Sequence, residues 1–201
     1  PTGVGHILTV PYFSTQNGNV SLLNITNTDL TNGKAVKLRY RGAANSDDIY
    51  DITIYLSPGD IWSANVSQKD GVSYLETADN SCTLPAAVNA PFSTNRVGGA
   101  TQEAKNAQTL EGYIEILNTA DVPPTLADAA LPDGSLTATA NPLYAATKHS
   151  AGVATCASAV MDLQLNDVNA TPADANHWAT RGYNFPTGGL MANWSIINLA
   201  K

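Results

Sequence analysis

The stretch "DITIYLSPGDIWSANV" (51–66) decides how this chain is read. Residues alternate in character on both sides of a Pro-Gly break. Ile52, Ile54 and Leu56 point one way, while Asp51, Thr53 and Tyr55 point the other, which is the period of a β-strand. Pro58 presets φ and Gly59 tolerates a positive φ, so "SPGD" suits a type II turn. Ser57 and Asp60 flank it, with Asp60 able to accept a backbone N–H and Trp62 packing below. The local sequence sets no His, Lys or second carboxylate beside Asp60. The stretch therefore predicts a strand, a corner and another strand, and Asp60 reads as a turn residue rather than a catalytic acid.

The same period extends in both directions. "AVKLRYRG" (35–42) puts Val36, Leu38 and Tyr40 on one face and Lys37, Arg39 and Arg41 on the other. "VSLLNITNT" (20–28), "IYDITIYL" (49–56) and "IWSANVS" (61–67) read as strands, and Asn32-Gly33 carries a hairpin signal. "HILTVPYFST" (6–15) alternates around Pro11, which cannot donate to a ladder, so it predicts an edge strand or a kinked pair. The first 67 residues thus read as an antiparallel meander. "EGYIEILN" (111–118) and "LMANWSIINLA" (190–200) add strands. "SLLNITNTDL" (21–30), "IEILNTADV" (114–122) and "WSIINLA" (194–200) share an apolar run, an Asn and a polar exit, which suggests an Asx-turn at each strand end.

Helix signals are sparse. Gln102 to Gln108 suit a short helix and "TLADAAL" (125–131) a second; "PLYAATKHSAG" (142–152) and "ASAVMDLQLND" (157–167) fit more than one state, and 169–189 reads as a long loop. The expected architecture is an all-β antiparallel sandwich, Ig-like or jelly-roll-like, with long loops and one or two short helices. Residues 1–201 form one domain, whose segment 1–15 is a candidate exchanged strand.

Charged residues make up 13% of the chain, against ~25% in ordinary soluble domains. Thr, Asn, Ser and Ala replace them, a composition common in secreted and cell-surface proteins. The net charge of −7 disfavours nucleic acid as a partner. No apolar run is long enough to span a membrane as a helix. The opening Pro1-Thr2-Gly3 suggests a removed signal peptide and an extracellular or cell-surface location. In that compartment Cys82 and Cys156 are expected to form one disulfide, closing a loop of roughly 70 residues.

Nucleophile-elbow, phosphate-loop, zinc and dinucleotide motifs are all missing, and His6, His149 and His177 stand alone in sequence, so no enzyme is expected and no cofactor is required. Two acidic loops are weak calcium candidates: Asp47 and Asp48 in "NSDDIYD" (45–51), and Asp167 and Asp174 in "DVNATPAD" (167–174). Trp62 and Trp194 lie within strands and are expected in the core, whereas Trp178, with Tyr183, is the better candidate for a ligand contact such as a glycan. Sequons at Asn19, Asn24, Asn65, Asn169 and Asn193 follow from the composition.

The run from "VPYFSTQNGN" to "IWSANVS" (10–67), with "SCTLP" (81–85), "EGYIEILN" (111–118), "LYAATKH" (143–149) and "ANWSIIN" (192–198), resembles an uncharacterised family of secreted proteobacterial cell-surface proteins of Ig-like or β-sandwich type. The resemblance implies export and a surface location, and transfers no catalytic residue. Members of that family often continue past the equivalent of Lys201. A looser similarity to immunoglobulin-like surface modules lies in the "PGD" corner. The function expected from these readings is a structural, self-assembling surface protein, a filament or pilus-like homopolymer. Its copies would be joined by donation of the N-terminal strand through Ile7, Leu8, Val10, Tyr12 and Phe13. The alternative is a surface adhesin or carbohydrate-binding module.

Overall fold

A computed structural model describes residues 3–126, 138–165 and 177–199, with His177 described by its backbone alone. The calcium candidates Asp167 and Asp174, the sequon at Asn169 and most of the expected helix at 125–131 lie outside those residues. In chain order the strands are β1 (Ile7–Ser14), β2 (Asn19–Asn27), β3 (Gly33–Gly42), β4 (Asp48–Leu56), β5 (Ile61–Lys69), β6 (Val72–Glu76), β7 (Cys82–Leu84), β8 (Ala90–Pro91), β9 (Glu111–Val122), β10 (Thr125–Leu126), β11 (Thr139–Ala140) and β12 (Leu190–Asn198). The helices are α1 (Gln102–Ala107), α2 (Pro142–Thr147), α3 (Ser158–Leu165) and α4 (His177–Thr180). Two five-stranded antiparallel sheets form, ordered β1-β9-β3-β4-β7 and β12-β2-β5-β6-β8. The fold is the expected all-β sandwich.

Alternation sets what each sheet buries. Val36, Leu38 and Tyr40 of β3 and Ile52 and Ile54 of β4 point inward, against Leu23 and Ile25 of β2 and Trp62 and Val66 of β5. Phe13, Tyr40 and Phe92 meet edge-on or tilted, with Tyr40 and Phe92 centroids 4.9 Å apart. Each large side chain moved out of water contributes roughly 1.5–3 kcal/mol, so this interior is the main source of stability. The opposite faces hold the charges: Lys37 pairs with Asp51 and Arg41 with Glu115.

The expected meander is corrected. β1 pairs with β9, β2 with β5 and β12, and β3 with β4 and β9, so most early strands pass from one sheet to the other. The reason lies in two interlocked corners. In "SPGD", Gly59 has φ +71° and Asp60 N donates to Ser57 O at 3.2 Å, the expected turn. It carries the chain across the core from β4 to β5, however, instead of doubling it back. In the second corner Asp29 Oδ1 accepts the N–H groups of Thr31 and Asn32. Asn32-Gly33 therefore leads into β3 of the other sheet rather than forming a hairpin. The corners clasp each other: Asn27 Nδ2 donates to Asn32 O and Ser57 O, and Gly59 N donates to Asp29 O.

Among the described residues four short helices form, where one or two were expected. Asn141 explains α2: its Oδ1 accepts the Leu143 and Tyr144 N–H groups, its Nδ2 donates to Pro123 O and Gly182 O, and Pro142 opens the first turn. Thr101 caps α1 through Ala104 N. α2 and α3 cover the outer face of the β3–β4 sheet, where Ala35, Tyr55, Cys82, Val122, Leu143, Ala154 and Met161 make a second apolar cluster. The Cys82–Cys156 disulfide forms as expected and ties that cover to β7 across 74 residues of chain.

Candidate functional site

A cavity of about 570 Å³ opens on the same outer face, beside the helical cover. Its lining includes Tyr55 and Asp51 of β4, Lys37 of β3, Gln164 of α3, Trp178 of α4 and Tyr183. The structure thus brings the two residues singled out as ligand contacts, Trp178 and Tyr183, into one wall. Trp178 also packs at 4.8 Å on Phe185, which is 74% exposed. Sequence reasoning missed Tyr55 and Gln164. The signal for Tyr55 was its outward place in the β4 alternation, whereas Gln164 depends on α3 being helical.

The chemistry of this wall is polar and neutral at its centre. Tyr55 and Tyr183 share a hydrogen bond of 2.7 Å between their hydroxyls, and burial pushes both phenols up, so both stay protonated. One hydroxyl hydrogen makes the mutual bond and the other remains for a ligand oxygen. Gln164 Nε2 donates to Val160 O, while Gln164 Oε1 is buried and no described residue donates to it. At the rim, burial pushes Asp51 up, but the bonded Lys37 ammonium and nearby Arg39 hold it below the ordinary carboxylate range.

The N-terminal strand lies within its own chain, paired with β9. Its five singled-out residues divide: Val10 and Phe13 are buried in the core, Leu8 packs against it, and Ile7 and Tyr12 are exposed. Pro11 falls where the β1–β9 register shifts, between Val10 and Phe13, so the strand is an edge strand with a bulge. β1 and β12 are the two edge strands on one side of the sandwich, linked where Gly5 and Leu190 exchange backbone hydrogen bonds. Neither strand carries a charged residue. Trp194, expected in the core, is 45% exposed, because β12 is the outermost strand of its sheet and its inward face is only partly covered.

The opening corner holds a surprise in chemistry. His149 Nδ1 lies 2.6 Å from Ser57 Oγ and 3.1 Å from Asp60 Oδ2, a partner for Asp60 that the local sequence did not show. Both contacts fall on the same ring nitrogen, and Ser57 Oγ also accepts His149 N and is buried. A relay needs opposite ring nitrogens for acid and nucleophile, so this trio is arranged as a brace between the corner and the segment after α2. Of the acidic loop 45–51, Asp48 pairs with Arg96 and Asp51 with Lys37. Among the described residues no three His, Cys, Asp or Glu side chains gather in metal-binding geometry. None of the described helices is long and apolar enough to cross a membrane.

No protein family, curated protein or solved structure matches this chain. The site is accordingly argued from its own residues, and the resemblance to secreted surface proteins rests on the sequence alone.

Proposed function

We propose that the protein is a structural, self-associating component of an extracellular surface, with copies joined along the β1/β12 side of the sandwich and β1 as the strand that one copy lends another. The observation that carries this reading is the uncharged edge formed by β1 and β12, with Ile7 62% exposed and Trp194 45% exposed. Natural edge strands are usually shortened, charged or covered, because unpaired backbone groups invite another strand. A lent β1 would make the same ladder on a neighbour's β9 that it makes on its own, so exchange conserves the bonds. The disulfide agrees with an oxidising compartment.

Two measurements test it. Light scattering and electron microscopy of the intact chain should show assemblies that grow with concentration; a monomer at every concentration ends the proposal. A chain lacking residues 1–14 should then bind a peptide carrying Ile7–Ser14, and failure to bind would remove strand lending.

The cavity supports a second reading, a glycan-binding module. A sugar hydroxyl would complete Gln164 Oε1, and a sugar face would lie on Trp178. Glycan-array binding weakened at least tenfold by Trp178→Ala is the expected result, and an array without hits dismisses it.

A further inference from the structure

Lys34 is 0% exposed, an unusual place for a lysine. It points inward at the end of the sandwich closed by the two corners. Its Nζ donates to Asp121 Oδ1 at 2.8 Å and Thr187 Oγ1 at 3.1 Å, with Asp29 Oδ2 at 3.6 Å. Asn118, 2% exposed, donates its Nδ2 to the same Asp121 oxygen at 2.7 Å and to Thr187 O at 2.9 Å. A lysine amine and an asparagine amide nitrogen thus stand side by side on one carboxylate oxygen. Asn118 Oδ1 is buried and no described residue donates to it, so hydrogen bonding alone does not account for the placement of this amide.

The strand is built to make this meeting. Residues three apart face opposite sides of a regular strand. In β9 the register shifts, so that Ala35 pairs with Ala120 but Val36 with Asn118, leaving Thr119 as an extra residue. The bulge turns Asn118 and Asp121 to the same inner face, where Lys34 is. Ion pairs in such a place seldom stabilise more than apolar side chains would, so the cost of burying this one calls for a use.

We propose that Lys34 and Asn118 form an intramolecular amide, with Asp121 carrying the protons. The ammonium proton of Lys34 moves along its hydrogen bond to Asp121 Oδ1, leaving a neutral amine and a neutral acid, a charge state that burial favours. The amine lone pair attacks Asn118 Cγ, and a new C–N bond forms. The proton shed by the attacking nitrogen passes through Asp121 to Asn118 Nδ2, the old C–N bond breaks, and ammonia leaves. The sum is an amine and a primary amide giving a secondary amide and ammonia. No oxidant or reductant enters, and Asp121 ends protonated with its cation gone. Burial raises the Asp121 carboxyl, and the bonds from Lys34, Thr187 and Asn118 outweigh it, so the unreacted site rests as the ion pair and reacts through its minor neutral form.

Mass spectrometry of the folded, purified chain decides the matter without a variant. Expected are an intact mass lower than the sequence mass by one ammonia and, after digestion, the peptide with Lys34 joined to the peptide with Asn118. Lys34→Met, Asn118→Ala and Asp121→Asn should each restore the full mass. An unshifted mass in the unaltered chain overturns the proposal. So does loss of one water with Lys34 joined to Asp121, which would make the carboxylate the electrophile.

Discussion

At one side of the sandwich the edge strands are short and fastened. β7 has 3 residues and β8 has 2, and Cys82 of β7 is tied to Cys156 under the helical cover. At the other side β1 and β12 run for 8 and 9 residues without a charge, and the structure gives them little beyond a proline bulge and the Gly5–Leu190 link. The same fold therefore guards one edge by length, covalent bond and packing, and leaves the other fit for pairing. Edge protection is a local choice made by sequence, not a property of a sandwich as such.

The contrast can be broken at its strong side first. Replacing Cys82 and Cys156 together by Ser should cost about 3–4 kcal/mol and lower the melting temperature by about 10 °C. A shift within error would mean that the helical cover holds the short edge unaided. Next comes the corner that sends β4 to β5. Gly59→Val places a β-branched side chain at φ +71° and against Leu30, and should cost about 1–3 kcal/mol. Asp60→Asn weakens an acceptor used by Ser57 N, Ile61 N and His149, and should cost about 1 kcal/mol in a denaturant titration. The opposite ranking would make Asp60, not the turn, the part that matters.

The open side is sharpened by Ile7→Lys, at a strand position that is 62% exposed. Stability should change by no more than about 0.5 kcal/mol while assembly is lost. A variant that assembles as before would move the contact elsewhere. The smallest effect is acid dependence. Hydrogen bonds from Thr31 and Asn32 outweigh burial and hold Asp29 below its usual range, as Lys37 does for Asp51. A depressed folded pKa contributes stability that is fully present above the ordinary carboxylate value and lost as pH falls through the folded one. The melting temperature should be flat near neutrality and fall only below about pH 4. A decline that begins near neutrality would mean that these two carboxylates do not set the acid limit.

Strand positions were legible because period two is written in neighbouring residues: Val36, Leu38 and Tyr40 bury as their spacing says. Pairing was not, since a corner and a hairpin use the same Asn, Pro and Gly, and only the far ends of the strands decide between them. α2 was hidden because "PLYAAT" has no strong helix period; Asn141 and Pro142 were the available signal. The cavity was half legible. Trp178 and Tyr183 announced themselves by type, but Tyr55, Gln164 and the His149 contact join through separations that no window of sequence spans.

The bulge at Thr119 has a consequence for how this chain can change over time. β9 carries one residue more between Asn118 and Asp121 than β3 carries between Val36 and Lys34, so Thr119 is surplus to the ladder. Thr119 adds one side-chain bond, from its Oγ1 to Ala35 O, whereas Ala120 packs on the second apolar cluster. Loss of Thr119 would straighten the ladder and leave Asn118 and Asp121 two apart, on one face of a regular strand and still opposite Val36 and Lys34. Position 119 should thus tolerate deletion while 118 and 121 resist substitution, a contrast that a deep mutational library with single-residue deletions would read directly.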